Sequence, residues 1–198
     1  MDFSKLKTVH VIIAFIVILF CYSSCSYNTM VNKQEKATTS WADVEAAYQR
    51  RADLIPSLVE TVKGYAKHES STFEAVVEAR AKATQIKVDA EDLTPEALQR
   101  IQSAQGELSS ALGRLMAVAE NYPELKANQN FSDLQVQLEG TENRINEARR
   151  KFNESVQNYN ISVRRFPNNI FANMFGFEKM NKFEADANAS SAPKVSFD

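Results

Sequence analysis

The sequence predicts an all-α protein: a long antiparallel up-and-down four-helix bundle with an N-terminal membrane anchor. Three observations predict it. Five glycines and five prolines in 198 residues are too few for a turn-dense β-sandwich or a Pro/Gly-rich disordered chain. Apolar residues recur at alternating three- and four-residue spacing over long stretches, the period of a helix packed along another helix. No stretch shows the alternation of a half-buried strand.

Residues 1–25 read as a signal or anchor segment. Val11 to Tyr22 form an unbroken apolar run of twelve residues behind Lys5 and Lys7. A spanning helix needs about 20 residues, whereas the apolar core of a signal peptide takes about 7–15. The run leads into Ser23, Ser24 and Cys25, small residues before a cysteine, which resembles a bacterial lipoprotein signal with lipid attachment at Cys25. The position three before the cysteine is Tyr22, where such signals usually carry Leu. The other reading is an uncleaved anchor that spans a locally thinned bilayer. Under both, the lysines stay in the cytoplasm and the body lies outside it, on the periplasmic side of the inner or outer membrane. Without residues 1–24 the chain keeps 21 basic and 24 acidic residues. It therefore offers no polybasic face to anionic lipid and no charge excess suited to nucleic acid.

Residues 26–185 read as the helical body. The first helix carries Trp41, Val44, Tyr48, Arg51, Ile55, Leu58, Val62 and Tyr65 on one seam. Asn32 with Glu35 offers a capping box at its start, although an earlier start fits as well. Pro56 lies inside this pattern, where it removes a backbone hydrogen bond. The helix is either kinked or broken near residues 53–56, and the unbroken phase of the seam favours the kink. A second helix spans about 72–87, with Ser71 and Glu74 as its cap and Phe73, Val76, Arg80 and Ala83 along one side. Residues 88–93 read as a loop. Thr94-Pro95-Glu96 opens a third helix with an N-cap, a first-turn proline and an acidic residue at the positive helix end. Its seam is Leu98, Ile101, Gln105, Leu108, Leu112, Leu115 and Ala119. Gly106 and Gly113, seven apart, suggest a close helix crossing. Ser132 and Gln135 read as the capping box of a fourth helix, with Phe131 and Val136 as a hydrophobic staple. That helix carries Leu138, Thr141, Ile145, Ala148, Phe152, Ser155, Tyr159 and Ser162 until Phe166-Pro167 stops it. The aromatic-rich segment Ile170 to Phe183 reads as a cap folded over the bundle end, or else as an exposed patch for a partner or membrane surface. Residues 186–198 read as a flexible tail.

The residues give no catalytic constellation, cofactor site or metal site. The two histidines are His10 and His68, and Thr72 stands where a zinc-protease helix beginning at His68-Glu69 needs its second ligand. Glu-x-x-His pairs for a di-iron bundle are missing, as is a Gly-rich phosphate loop. Arg51 is the polar anomaly: on an apolar seam a buried arginine must be paired, and Asp53, Glu139 and Glu142 are the candidate partners. With Arg50 these residues form the candidate polar or ligand cluster. It reads as a register-setting ion pair, or alternatively as a site for an anion or a peptide carboxylate.

The block Tyr48 to Ala66 (Tyr-Gln-Arg-Arg-Ala-Asp-Leu-Ile-Pro-Ser-Leu-Val-Glu-Thr-Val-Lys-Gly-Tyr-Ala) resembles the signature of the LemA family. Tyr27-Asn28, Trp41, Glu78-Ala79-Arg80, Ala111 to Leu115, Tyr122 to Lys126, Leu138 to Ile145, Tyr159-Asn160 and Phe166-Pro167 agree in order. The resemblance spans about residues 27–185. It implies a bacterial, membrane-anchored, outward-facing helical bundle and transfers no catalytic residues. It also implies a lead towards membrane proteases and envelope functions. The sequence-level reading is a non-enzymatic interaction or scaffold protein of the cell envelope with another envelope protein as partner. A binding module for an anionic ligand at Arg50 and Arg51 is the alternative.

Overall fold

The computed structural model describes residues 3–184. The described residues hold six α-helices, one short 3-10 turn and no strand. The helices are α1 (Phe3–Tyr65), α2 (Ser70–Gln85), α3 (Pro95–Glu120), α4 (Pro123–Lys126), α5 (Gln129–Arg164) and α6 (Asn168–Phe175). The all-α expectation holds, and α1, α3 and α5 are 63, 26 and 36 residues long. The tail expected over 186–198 lies outside the described residues.

α1 is one helix from end to end, about 95 Å at the usual 1.5 Å per residue. Its backbone passes Cys25 without interruption, and the change near that point is in burial. From His10 to Cys25 the helix is exposed apart from a half-buried Ser23. Ser26, Met30, Ala37, Trp41 and Val44 are then buried. Asn32 does not start a helix, because the chain is already helical there. Pro56 does not break it either: the ladder bond it deletes is the one its own N–H would have made to the Ala52 carbonyl. That carbonyl accepts instead from Arg80 Nε of α2 at 2.8 Å.

α5 and its flanks run antiparallel along α1. Rising positions on α1 meet falling positions on the partner. Tyr22 meets Asn168, Ser40 meets Ser155 at 2.9 Å, Arg51 meets Glu142 at 2.6 Å, and Tyr65 meets Asn128 at 2.9 Å. α2 and α3 pack on each other and close over the distal part of α1. The core there is Ile55, Leu58, Val62, Phe73, Val76, Leu108, Leu112, Leu115, Leu125 and Phe131. Further along come Trp41, Val44, Leu98, Ile101, Phe152 and Phe183, and then Met30, Tyr159, Val163, Phe171 and Ala172 beside α6. The predicted seams supply most of these residues; Tyr65 is the exception, 40% exposed.

Several boundaries differ from the sequence reading. α2 begins at Ser70 with no side-chain cap. Residues 90–92 wind into a 3-10 turn. Thr94 does cap α3, its side chain accepting from the Ala97 N–H at 3.1 Å. The cap of α5 is Asn128, which accepts from the Phe131 N–H at 3.0 Å, so the helix starts a turn before Ser132. Asn128→Ala is therefore expected to cost about 1 kcal/mol, as for loss of an N-cap, and Ser132→Ala close to nothing. Urea midpoints of the two variants check this, and the opposite order would restore Ser132 as the cap. Gly106 and Gly113 sit at no close crossing, since a Cβ built on either meets no atom within 4 Å.

The C-terminal segment does fold over the helices, by means the sequence did not announce. Residues 177–184 run along α5 without regular secondary structure. The Asn160 side-chain amide donates to the Met180 carbonyl at 2.8 Å and accepts from its N–H at 3.0 Å. Asn153 makes the same pair with Phe183 at 3.0 and 2.9 Å. The two asparagines stand seven residues, or about 10 Å, apart on a helix. Three residues of extended chain cover the same distance. The strap places Phe183 against Trp41 and Phe152, with ring centroids 6.0 and 5.7 Å away.

Candidate functional site

The polar cluster forms where α1, α3 and α5 meet. The heptad seam turns Arg51 inward, and the side chain is 2% exposed. One terminal nitrogen, Nη1, donates to Glu142 Oε2 at 2.6 Å and to Ser109 Oγ at 3.0 Å. The other, Nη2, donates to the side-chain and backbone oxygens of Gln105. Nε has no partner among the described residues. Glu142 keeps its side chain 47% exposed, so the pair is a buried cation held by a carboxylate at the rim. Such an arrangement gives the buried charge a counter-charge and joins side chains of three helices.

The other members of the predicted cluster lie elsewhere. Asp53 is exposed and accepts from Gln49 at 2.7 Å. Glu139 accepts from Gln135 at 3.1 Å on the outer side of α5. Arg50 is exposed and lines a groove between α1 and α5 with Arg144, Lys151, Asp43 and Glu147. Structure thus separates the two arginines: Arg51 is committed inside, and Arg50 faces solvent.

Tyr48, a turn before Arg51, lies on the same seam of α1. Its hydroxyl is buried without a hydrogen-bond partner among the described residues. Burial pushes its ionisation up, with partial offset from Arg149 and Arg51. Next to it, a second groove is lined by Trp41, Glu45, Gln105 and Asp89. Desolvation and the nearby Asp89 raise the Glu45 carboxyl above its ordinary value, and the neighbouring Trp41 N–H, which donates to the Val88 carbonyl at 3.1 Å, opposes them in part. Thr84 and Lys87 also line this groove, and no histidine or cysteine does. Among the described residues no three His, Cys, Asp or Glu side chains converge to hold a metal ion. Cys21 and Cys25 are free and exposed on α1.

Comparison with known proteins supplies the rest. The LemA family profile matches residues 40–197. The chain is 28% identical to magnetosome protein MamQ of Magnetospirillum gryphiswaldense, over 79% of this chain and 64% of that protein. It is likewise 28% identical to magnetosome protein MamQ 2 of Paramagnetospirillum magneticum, over 87% and 68%. Protein LemA of Metamycoplasma hominis is 23% identical over 80% and 68%. The chain therefore spans just under two thirds of the M. gryphiswaldense relative. Neither the family description nor these names states a reaction.

Proposed function

Because the chain belongs to the LemA family, we propose that it is a non-enzymatic, membrane-tethered interaction or scaffold protein of the cell envelope. In this reading its four longer helices make an up-and-down bundle outside the cytoplasm. The observation that carries it is the continuity of α1. One helix is both an exposed apolar segment, long and apolar enough to cross a membrane, and the central rod against which α5 packs. A partner that binds the body is thereby held at a fixed height above the bilayer. The relatives named for a cell structure rather than a reaction support an architectural role.

Cross-linking in intact cells, followed by identification of the attached species, tests the proposal. A reproducible envelope protein attached to the body supports it. A small anionic molecule attached at the Arg50 groove, with no protein partner, favours the alternative of a ligand-binding module. The specific observation behind that alternative is the set of cations Arg50, Arg144 and Lys151 around one groove, since Arg51 is already satisfied from within.

The tether itself has two forms, a lipid on Cys25 after removal of the leader, or the intact span. Intact-mass measurement of the wild type and Cys25→Ala separates them. The lipoprotein form predicts loss of the leader and gain of acyl mass in the wild type, both abolished in Cys25→Ala. An unchanged mass with the leader retained assigns the span.

A further inference from the structure

We propose that α6 and the residues just before it form a membrane-seated platform, with the phospholipid surface as its occupant. One side of α6 is spent on the body: Phe171 and Ala172 are buried with Met30, Tyr159 and Val163. Most of what remains exposed is apolar, with Asn173 the exposed polar residue among it. Phe166 is 76% exposed, Met174 64%, Ile170 56% and Phe175 42%. A contiguous apolar face on a soluble surface marks a contact site, and its position identifies what it touches.

That position is set by α1. Tyr22, the last residue of the apolar run, donates to Asn168 Oδ1 at 3.0 Å and packs its ring 5.8 Å from Phe171. Tyr27 meets Phe175 and Phe177 at 5.2 and 5.5 Å. The exposed face of α6 is therefore level with the point where the apolar helix leaves the membrane, the depth at which tyrosine and other aromatic rings collect. The strictly apolar run Val11–Tyr22 covers about 18 Å as helix, so a hydrocarbon core of about 30 Å also takes in uncharged residues at its ends. Apolar side chains of α6 beside its end continue the apolar surface towards the body.

Charge agrees. α1 carries no Asp, Glu, Lys or Arg between Lys7 and Lys33. The stretch from Ser155 to Phe177 carries none except Arg164 and Arg165, both exposed. An apolar helix face preceded by two arginines, with the next carboxylate, Glu178, beyond the helix end, fits an interfacial helix on anionic lipid. A lipid on Cys25 would follow loss of Tyr22 with the leader, and the contacts of Tyr27 with Phe175 and Phe177, two residues beyond Cys25, would then hold α6 at the same surface.

The inference rests on the tethering reading, and the experiment keeps the two apart. The full chain is reconstituted into vesicles of neutral and anionic phospholipid with brominated acyl chains. Flotation with the vesicles is scored first, then tryptophan emission of Phe166→Trp, Met174→Trp and Val77→Trp. The native Trp41 is 3% exposed in the body and Val77 is 55% exposed on α2, so they supply the background and the unburied control. The expected result is bromine quenching at 166 and 174 and none at 77. A chain that floats while 166 and 174 emit as Val77→Trp does overturns the platform alone and leaves that face for a protein partner. A chain that fails to float overturns the tether and the platform together.

Discussion

Glu142→Ala is expected to destabilise the body by about 3–5 kcal/mol, while Arg51→Met, which removes the other half of the same pair, changes it by about 1 kcal/mol or less. The asymmetry follows from where each charge sits. Arg51 is 2% exposed and Glu142 47%. Without Glu142 the guanidinium stays buried with only Ser109 and Gln105 to meet it, and an interior cation without a counter-charge is severely penalised. Without Arg51 the carboxylate, already 47% exposed, turns to water, and Met keeps most of the volume of the aliphatic stem. Urea unfolding of the two variants measures both effects. A larger loss from Arg51→Met than from Glu142→Ala would mean that the pair stabilises by direct attraction rather than by avoiding a stranded charge. The same variant separates the two functional readings. A folded Arg51→Met that still cross-links its partner leaves the arginine structural; loss of the partner with an unchanged midpoint makes it part of a recognition surface.

Helical periodicity identified the faces and left their axial alignment open. It put Arg51 on a seam and so required a partner, but it offered Asp53, Glu139 and Glu142 equally. Asp53 was excludable in principle, because residues two apart on a helix point to opposite sides. Glu139 and Glu142 lie about 4.5 Å apart along the axis. Which one stands opposite Arg51 depends on the α1–α5 register, and that is fixed by contacts such as Ser40–Ser155 and Tyr65–Asn128 remote from the pair. Caps fared similarly. Asn128 and Ser132 both carry capping side chains, and the earlier one wins because Phe131 then reaches the core of α1, α3 and α4. The strap over residues 177–184 was legible only as aromatic content. Its attachment uses side-chain amides on one element and backbone on another, a pairing that leaves no period in either sequence.

Arg80→Met is expected to cost about 1–3 kcal/mol, the penalty for a buried carbonyl left without a donor, and to cost much less when Pro56 is also replaced by alanine. Pro56 is a defect in α1 that a second helix repairs. The Ala52 carbonyl, four residues back, has no ladder partner because proline lacks an N–H, and Ala52 is 2% exposed, so bulk water has little access to it. Arg80 Nε fills the vacancy at 2.8 Å. This explains why α1 continues through a proline that the sequence reading allowed to break it. It also ties α2 to α1 through a carbonyl that the proline leaves without its ladder donor. In Pro56→Ala the restored N–H reclaims the carbonyl, and Arg80 loses its task. The coupling is measured by a double-mutant cycle of urea midpoints on wild type, Arg80→Met, Pro56→Ala and the double variant. A cost for Arg80→Met that is the same in both backgrounds would sink the repair argument and leave Arg80 as an ordinary half-buried side chain. A clear coupling would give a physical reason for a proline inside the block Tyr48–Ala66 and an arginine in Glu78-Ala79-Arg80 to occur in one chain, since each makes sense of the other.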